Sequence, residues 1–400
     1  MNDQSTDQST DPSTDPSTDF PIVQWMDDDG ATQSARWRSE AGLPPPRRVV
    51  VADDRLAADK AYKWICEGTA LLWRGDYQNA RQLLQALTRR IDRKPRRAAD
   101  SAAPAPGDAF HRHRKTQGER ARLLGMLLLP FEADHSVPLP RAPDVRLAGA
   151  EAHGPAAEHY VASLRELLGL VGAHEWRKNG VEVAALGERI HPHYGVFSPL
   201  RGEYVDLVQQ QPLPASLADR SVAFDIGTGT GVLAAVLARR GVRRVVATDH
   251  TARALECARA NLARLKLRHQ VELVDADLFP PGRAALVVCN PPWLPAKATS
   301  PLEHAVYDPD NRMLRGFLAG LAAHLEPGGE GWLILSDLAE HLGLRRRDEL
   351  LAWIAAAGLA VAGRTDIRPR HPKAGDAADP LHAARAAELT SLWRLVQRSP

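Results

Sequence analysis

Cysteine is scarce in this chain: Cys66, Cys257 and Cys289 are the only three in 400 residues. No two of them stand at metal-ligand spacing, and an odd, scattered trio implies no disulfide framework. Zinc-ribbon and secreted disulfide scaffolds are thereby excluded, and no metal site is expected. Long apolar runs are also missing. The longest, Leu123 to Phe131, is too short to cross a bilayer, so no membrane role is expected. The first thirty residues hold eight Asp and neither Lys nor Arg. A secretory signal needs a basic start and an apolar stretch, so residence in the cytoplasm is the expectation.

What is present is ordinary for a globular protein: 44% hydrophobic and 25% charged residues. The net charge of +2 hides an asymmetry. Residues 81–122 carry twelve Lys or Arg against Asp92, Asp100, Asp108 and Glu119, a local excess of eight. Such a block suits a phosphate backbone or an acidic ribosomal surface, and equally a solvated loop.

Residues 4–19 are four tandem tetrapeptides, Gln-Ser-Thr-Asp twice and Pro-Ser-Thr-Asp twice. Too little apolar area is available there to offset ordering entropy, and residues 1–54 read as a disordered, dispensable acidic tail. From 55 to 178, apolar residues at three- and four-residue steps predict a mainly helical N-terminal domain. Its members include Trp64, Ile65, Leu71, Leu72, Leu83, Leu84 and Leu87, with Gly75-Asp76 as a turn between helices. A Pro- and Ala-rich basic loop interrupts it near 93–118. Alternation around Gly187 predicts a β-hairpin and connecting helix over 179–212. Beyond 213, strand-like runs at 222–226, 244–248, 271–274, 285–289 and 332–336 alternate with helical patterns. That order predicts an α/β domain with a mostly parallel sheet covered on both faces. Two β-like runs, 359–368 and 388–397, close it as an antiparallel pair.

Two motifs inside this domain carry chemistry. Val222-Ala223-Phe224-Asp225-Ile226-Gly227-Thr228-Gly229-Thr230-Gly231 is an apolar strand opening into a loop where glycine lets the backbone turn and approach a ligand. Leu286-Val287-Val288-Cys289-Asn290-Pro291-Pro292-Trp293 is a buried strand ending in a rigid corner poor in donors. Gly229-Thr230-Gly231-Val232-Leu233-Ala234 by itself also fits a nicotinamide dinucleotide fingerprint. The fourth-strand corner separates the readings, because a dehydrogenase has no use for Asn-Pro-Pro-Trp there.

The pair resembles the class I S-adenosylmethionine-dependent N-methyltransferases, a Rossmann-like family. The resemblance falls in the branch that modifies protein glutamine and the amino groups of RNA bases, and it covers about residues 180–400. It implies S-adenosylmethionine as cofactor, with Gly227, Thr228, Gly229 and Gly231 around its amino-acid half. It further implies Asp225 near the cationic amino group, Asp249 on the ribose, and Asp277, with Asp275 as rival, at the adenine. At the second motif, the Asn290 side-chain oxygen and the Pro291 carbonyl would accept the two N–H bonds of a planar substrate nitrogen. Pro292 stiffens the corner and Trp293 offers a stacking face. Phe197, in Gly195-Val196-Phe197-Ser198-Pro199, and Tyr194 are candidates for the opposite wall of the pocket. His304 and Asp310, in a lid-like loop over 295–312, are candidates by proximity alone.

Asn-Pro-Pro-aromatic serves RNA amines and protein glutamine alike. The basic stretch tilts the reading to an exocyclic base amine of RNA. A protein glutamine of a release factor or ribosomal protein is the alternative, and a non-catalytic S-adenosylmethionine-binding module the alternative of another class.

Overall fold

A computed structural model describes residues 20–93, 105–155, 158–199, 202–217, 222–298, 301–370, 376, 377 and 379–398. The tetrapeptide repeats, residues 94–104 and the 371–375 loop lie outside the described residues. The Pro- and Ala-rich loop expected near 93–118 is corrected from Pro106 onward, where the chain is helical over Pro106–Leu124. The chain divides into two compact units. One takes in residues up to Ser39, Leu43–Asp92 and Leu123–Leu167; the other takes in Glu40–Gly42, Arg93–Arg122 and Leu168–Pro400.

The N-terminal unit corrects the expectation of a disordered tail and a helical domain. It is built on a six-stranded sheet in the order β1-β2-β6-β5-β4-β3. The strands are β1 (Ile22–Met26), β2 (Thr32–Trp37), β3 (Arg48–Ala52), β4 (Thr69–Trp73), β5 (Leu127–Phe131) and β6 (Tyr160–Ser163). Residues 20–54 are therefore structured, and removing 1–54 deletes three strands. The local signals are plain once read at short range. In Ile22–Met26, Val23 and Trp25 point inward while their neighbours face solvent, the alternation of a half-buried strand. Asp29-Gly30 sits in the turn to β2, with Gly30 at φ +81° and its N–H donating to the Asp27 carbonyl. Thr69–Trp73 is buried at every position. A strand buried on both faces reads as an unbroken apolar run, which the helical period of Leu71 and Leu72 imitates. Helices Ala58–Cys66 and Tyr77–Asp92 do follow the predicted pattern. Gly75-Asp76 is the turn from β4 into the second of these, rather than a turn between helices.

In the second unit a hairpin, β7 (Val181–Val183) with β8 (Glu188–Ile190), leads to the helix Glu203–Gln210, as the alternation predicted. The main sheet has seven strands in the order β11-β10-β9-β12-β13-β15-β14. They are β9 (Val222–Ile226), β10 (Arg244–Asp249), β11 (Val271–Asp275), β12 (Ala284–Cys289), β13 (Leu325–Ser336), β14 (Leu359–Ile367) and β15 (Thr390–Gln397). All neighbours from β11 to β13 pair in parallel, and only β15 runs against both of its partners. The two faces carry separate apolar clusters. One centres on the helix Val232–Arg239 and Trp332, the other on Phe317, Leu321 and Ile354. β12, buried along its whole length, is thus held rigidly between two cores. Both motif loops leave the sheet at the carboxyl ends of its central strands, β9 and β12, the crevice where open α/β sheets bind ligands.

Candidate active site

The first loop springs from β9. Gly227, Gly229 and Gly231 have φ values of +72°, +56° and +81°, conformations that a side chain would strain. A Cβ on Gly227 would meet Met313 Cε at 2.6 Å, and one on Gly231 would press on Ala258 at 3.2 Å. The loop is therefore both left-handed and closely flanked. Beneath it Asp225 is 1% exposed. Its Oδ2 accepts the Thr228 hydroxyl at 2.7 Å and the Ala234 N–H at 3.0 Å, while the Thr228 N–H donates to the Thr248 carbonyl at 2.8 Å. Burial pushes the Asp225 carboxyl up to about 6 despite those bonds. Sequence reasoning set Asp225 and Thr228 against a ligand. The structure turns both side chains inward, where they brace the loop and the first turn of the following helix.

Asp249, at the end of β10, faces the loop from the other side. Its Oδ2 accepts the Gly229 N–H at 3.1 Å, and its Oδ1 accepts the Thr251 N–H and hydroxyl at 3.0 and 2.5 Å. Each carboxylate oxygen has two lone pairs, so Oδ2 retains capacity for a hydroxyl. Asp275, the last residue of β11, and Asp277 beyond it are both exposed, and Asp277 pairs with Arg312 at 2.7 Å. The next residue, Leu278, adopts φ +82°, its carbonyl accepting the buried Thr248 hydroxyl at 2.5 Å. A non-glycine residue at such a φ marks a segment shaped by its surroundings, and no sequence pattern pointed to it. Backbone N–H groups in a left-handed glycine loop, an acid at the second strand end and an acid beyond the third together fit S-adenosylmethionine.

The second loop springs from β12. Pro291 is buried; Asn290, Pro292 and Trp293 are half-buried. The Trp293 indole N–H donates to Asn290 Oδ1 at 2.9 Å. That bond fixes which end of the amide is oxygen and leaves one lone pair on it free. The Trp293 ring also packs against both apolar clusters, so it holds the corner in addition to offering the stacking face read from the sequence. Arg345, 2% exposed, donates from Nη1 to Asn311 Oδ1 at 2.9 Å and lies 3.5 Å from the Trp293 carbonyl. Burial lowers the pKa of its guanidinium. Asp308, 5% exposed, receives the N–H groups of Met313 and Leu314 at 3.0 and 3.1 Å and so caps the helix Arg312–His324. That helix in turn lays Met313 beside Gly227. The segment after the corner therefore connects the two loops.

Phe197 is half-buried, and Tyr194 faces the Arg253 guanidinium at 5.5 Å. The stretch containing them is fastened by Asn261, which sequence reasoning passed over. At 1% exposure, Asn261 accepts the His191 N–H at 2.8 Å and donates to the carbonyls of Thr230 and His191 at 3.0 and 3.2 Å. One side chain thus ties the segment before the domain to the glycine loop. His304 and Asp310 are exposed, Asp310 at φ +56° next to Asn311 at +54°.

Strand order, glycine loop after β9 and Asn-Pro-Pro-Trp after β12 together give the second unit the build through which the sequence resembles the class I S-adenosylmethionine-dependent methyltransferases. Comparison with known proteins bears on that part of the chain. Residues 188–346 match the family described as methyltransferase small domain. The release factor glutamine methyltransferase of Cereibacter sphaeroides is 36% identical over 158 residues, 38% of this chain and 53% of that protein. The ribosomal protein L11 methyltransferase of Sorangium cellulosum is 34% identical over 138 residues, 34% of this chain and 36% of that protein. Among solved structures, the ribosomal protein L11 methylase of Lactobacillus delbrueckii subsp. bulgaricus overlaps 53% of this chain and 87% of its own, at 17% identity and a TM-score of 0.35. The chain spans about half the length of the first curated relative it matches. No helix among the described residues is long and apolar enough to cross a membrane.

Proposed function

We propose that the chain transfers a methyl group from S-adenosylmethionine to a planar amide or amino nitrogen, with the side-chain carboxamide of a protein glutamine as the favoured acceptor. The observation that carries the reading is the oriented Asn290 oxygen beside the Pro291 carbonyl at the end of a rigid strand. Bound S-adenosylmethionine supplies the electrophilic methyl, already activated by its sulfonium charge. The remaining task falls to the chain's own groups. The nitrogen of an amide is a poor nucleophile because its lone pair is delocalised. Asn290 Oδ1 and the Pro291 carbonyl, each accepting one N–H, favour the geometry in which that lone pair localises and positive charge grows on nitrogen. Trp293 keeps the Asn290 oxygen, rather than its NH₂, aimed at the substrate.

The choice of glutamine over an RNA base rests on two points. The relatives named above act, by their names, on a release factor and on ribosomal protein L11. The basic stretch that favoured RNA is also less available than its charge implies, since Arg90 pairs with Asp59 at 2.8 Å and Arg114 is engaged within the fold. The test is mass spectrometry of release factors, ribosomal proteins and ribosomal RNA from cells with and without the protein. A methyl missing from a protein glutamine, with RNA modifications unchanged, is expected. A missing methyl on a base amine, with the proteins unchanged, would return the assignment to RNA.

A further inference from the structure

The helix Pro106–Leu124 lies far outside the matched domain, yet its residues 106–122 belong to the second unit. Its sequence, with Arg112, Arg114, Lys115, Arg120 and Arg122, reads as a solvated basic face. Two of its side chains do something else. Phe110, 2% exposed, enters an apolar cluster with Leu294, Leu338, Leu342 and Leu381. The helix comes so close there that a Cβ on Gly107 would stand 3.5 Å from the Leu342 carbonyl. One turn later Arg114 reaches the loop that follows Asn-Pro-Pro-Trp. Its Nη2 donates to the Lys297 carbonyl at 2.8 Å and lies 3.5 Å from Glu303 Oε2. Its guanidinium carbon sits 3.9 Å from the centre of the Tyr307 ring. Tyr307 is itself bridged to Leu294, the residue after Trp293, and the Asp308 N–H donates to the Leu294 carbonyl at 2.8 Å. A single planar cation thus joins the outgoing strand of the loop at Lys297 to its returning strand at Tyr307.

We propose that Arg114 is a positioning residue for the Asn-Pro-Pro-Trp corner, and that residues 106–122, outside the span matched to the family, form an accessory element of the active site. The contact needs a guanidinium. A flat cation covers an aromatic face while its edge donates to a carbonyl, a combination that the compact ammonium of lysine does not reproduce. Fixing both strands of the loop restrains Leu294 and Asp308, and through them Trp293 on one side and the Met313 approach to Gly227 on the other. The inference rests on the methyltransferase reading for its consequence, though not for the contact itself.

The experiment compares the full chain with Arg114→Ala, Arg114→Lys and Tyr307→Leu by hydrogen–deuterium exchange, S-adenosylmethionine calorimetry and transfer of tritiated methyl to an extract of cells lacking the protein. Both Arg114→Ala and Tyr307→Leu are expected to speed exchange in 294–311 at least tenfold while leaving β12 and β13 unchanged. Transfer should fall about tenfold with cofactor affinity within twofold of wild type, and Arg114→Lys should not restore either. Unchanged exchange in 294–311 in both Arg114→Ala and Tyr307→Leu, or full rescue by Arg114→Lys, would overturn the proposal. A wild-type chain that binds no S-adenosylmethionine would sink the methyltransferase reading while leaving the exchange result, and so the contact, standing.

Discussion

The two loops at the carboxyl ends of β9 and β12 differ in the charged groups that hold them. The glycine loop is braced from beneath and close by: Asp225, Thr228 and Ala234 lie within ten residues of one another, and the carboxylate at the centre is buried. The Asn-Pro-Pro-Trp corner is braced from outside by residues distant in sequence, with Arg345 near Trp293 and Asn311, and Arg114 on the loop beyond. A local brace built on a buried charge makes the first loop sensitive to pH. A remote brace built on arginines makes the second sensitive to distant segments, one of which, the helix carrying Arg114, lies outside the residues matched to the family.

The largest effect should come from removing the acceptor at the corner while leaving both braces in place. Asn290→Ala is expected to lower methyl transfer by roughly 10²–10³-fold, the usual cost of one transition-state hydrogen-bonding group. Cofactor affinity in calorimetry should stay near that of wild type. Comparable losses in both would place Asn290 in binding rather than transfer.

Asp225 separates the loops by pH. Its folded carboxyl titrates near about 6, above the ordinary value of 3.8, so the folded state holds the proton more tightly than the unfolded chain. The group's stabilising contribution is full below the unfolded value. It is lost as pH rises through the folded value, a swing on the order of 2–3 kcal/mol. Asp225→Asn keeps an oxygen for Thr228 and Ala234 and carries no charge. Its melting temperature should therefore gain on wild type as pH climbs from 4 to 7, by several degrees. A difference between the two proteins that does not vary with pH would contradict the buried-charge account.

A smaller effect is expected at Asn261, whose three hydrogen bonds tie the 188–198 segment to the glycine loop. Asn261→Ala leaves buried backbone groups unpaired, at about 1–3 kcal/mol. Denaturant unfolding should register that loss, and exchange should quicken at His191 and in the glycine loop rather than at the corner. The smallest belongs to Arg244, whose pair with Glu272 on neighbouring strands is more than half exposed on both sides. Arg244→Ala should shift stability by less than about 1 kcal/mol. A larger loss by denaturant titration would show that surface pairing on this sheet has been undervalued.

The glycine loop and the corner were legible because each is written in consecutive residues whose types the backbone demands: glycine where φ is positive, proline where the chain is stiff. The sheet of the second unit was legible for the same reason, since strand and helix alternate at regular spacing. What holds the loops was not. Asn261 stands in mid-helix, Arg114 in a basic run and Arg345 in Arg345-Arg346-Arg347, and only the fold tells a buried member of such a run from its solvated neighbours. Asp225 was placed on a ligand because position in the motif does not reveal which way a side chain turns. The sheet of the N-terminal unit is not legible because its first three strands are only five or six residues long and follow directly on the acidic repeats. Its central strands, buried on both faces, also carry no alternation to betray them.

The central claim is that a bound methyl donor at the glycine loop meets a planar nitrogen held by Asn290. The most direct measurement is transfer of tritiated methyl from S-adenosylmethionine by the purified full chain, wild type and Asn290→Ala, to separated protein and RNA fractions from cells lacking the protein. The account predicts label on a protein glutamine with wild type and almost none with Asn290→Ala, although both bind the cofactor. Equal labelling by the two proteins, or no binding of S-adenosylmethionine by either, would contradict it.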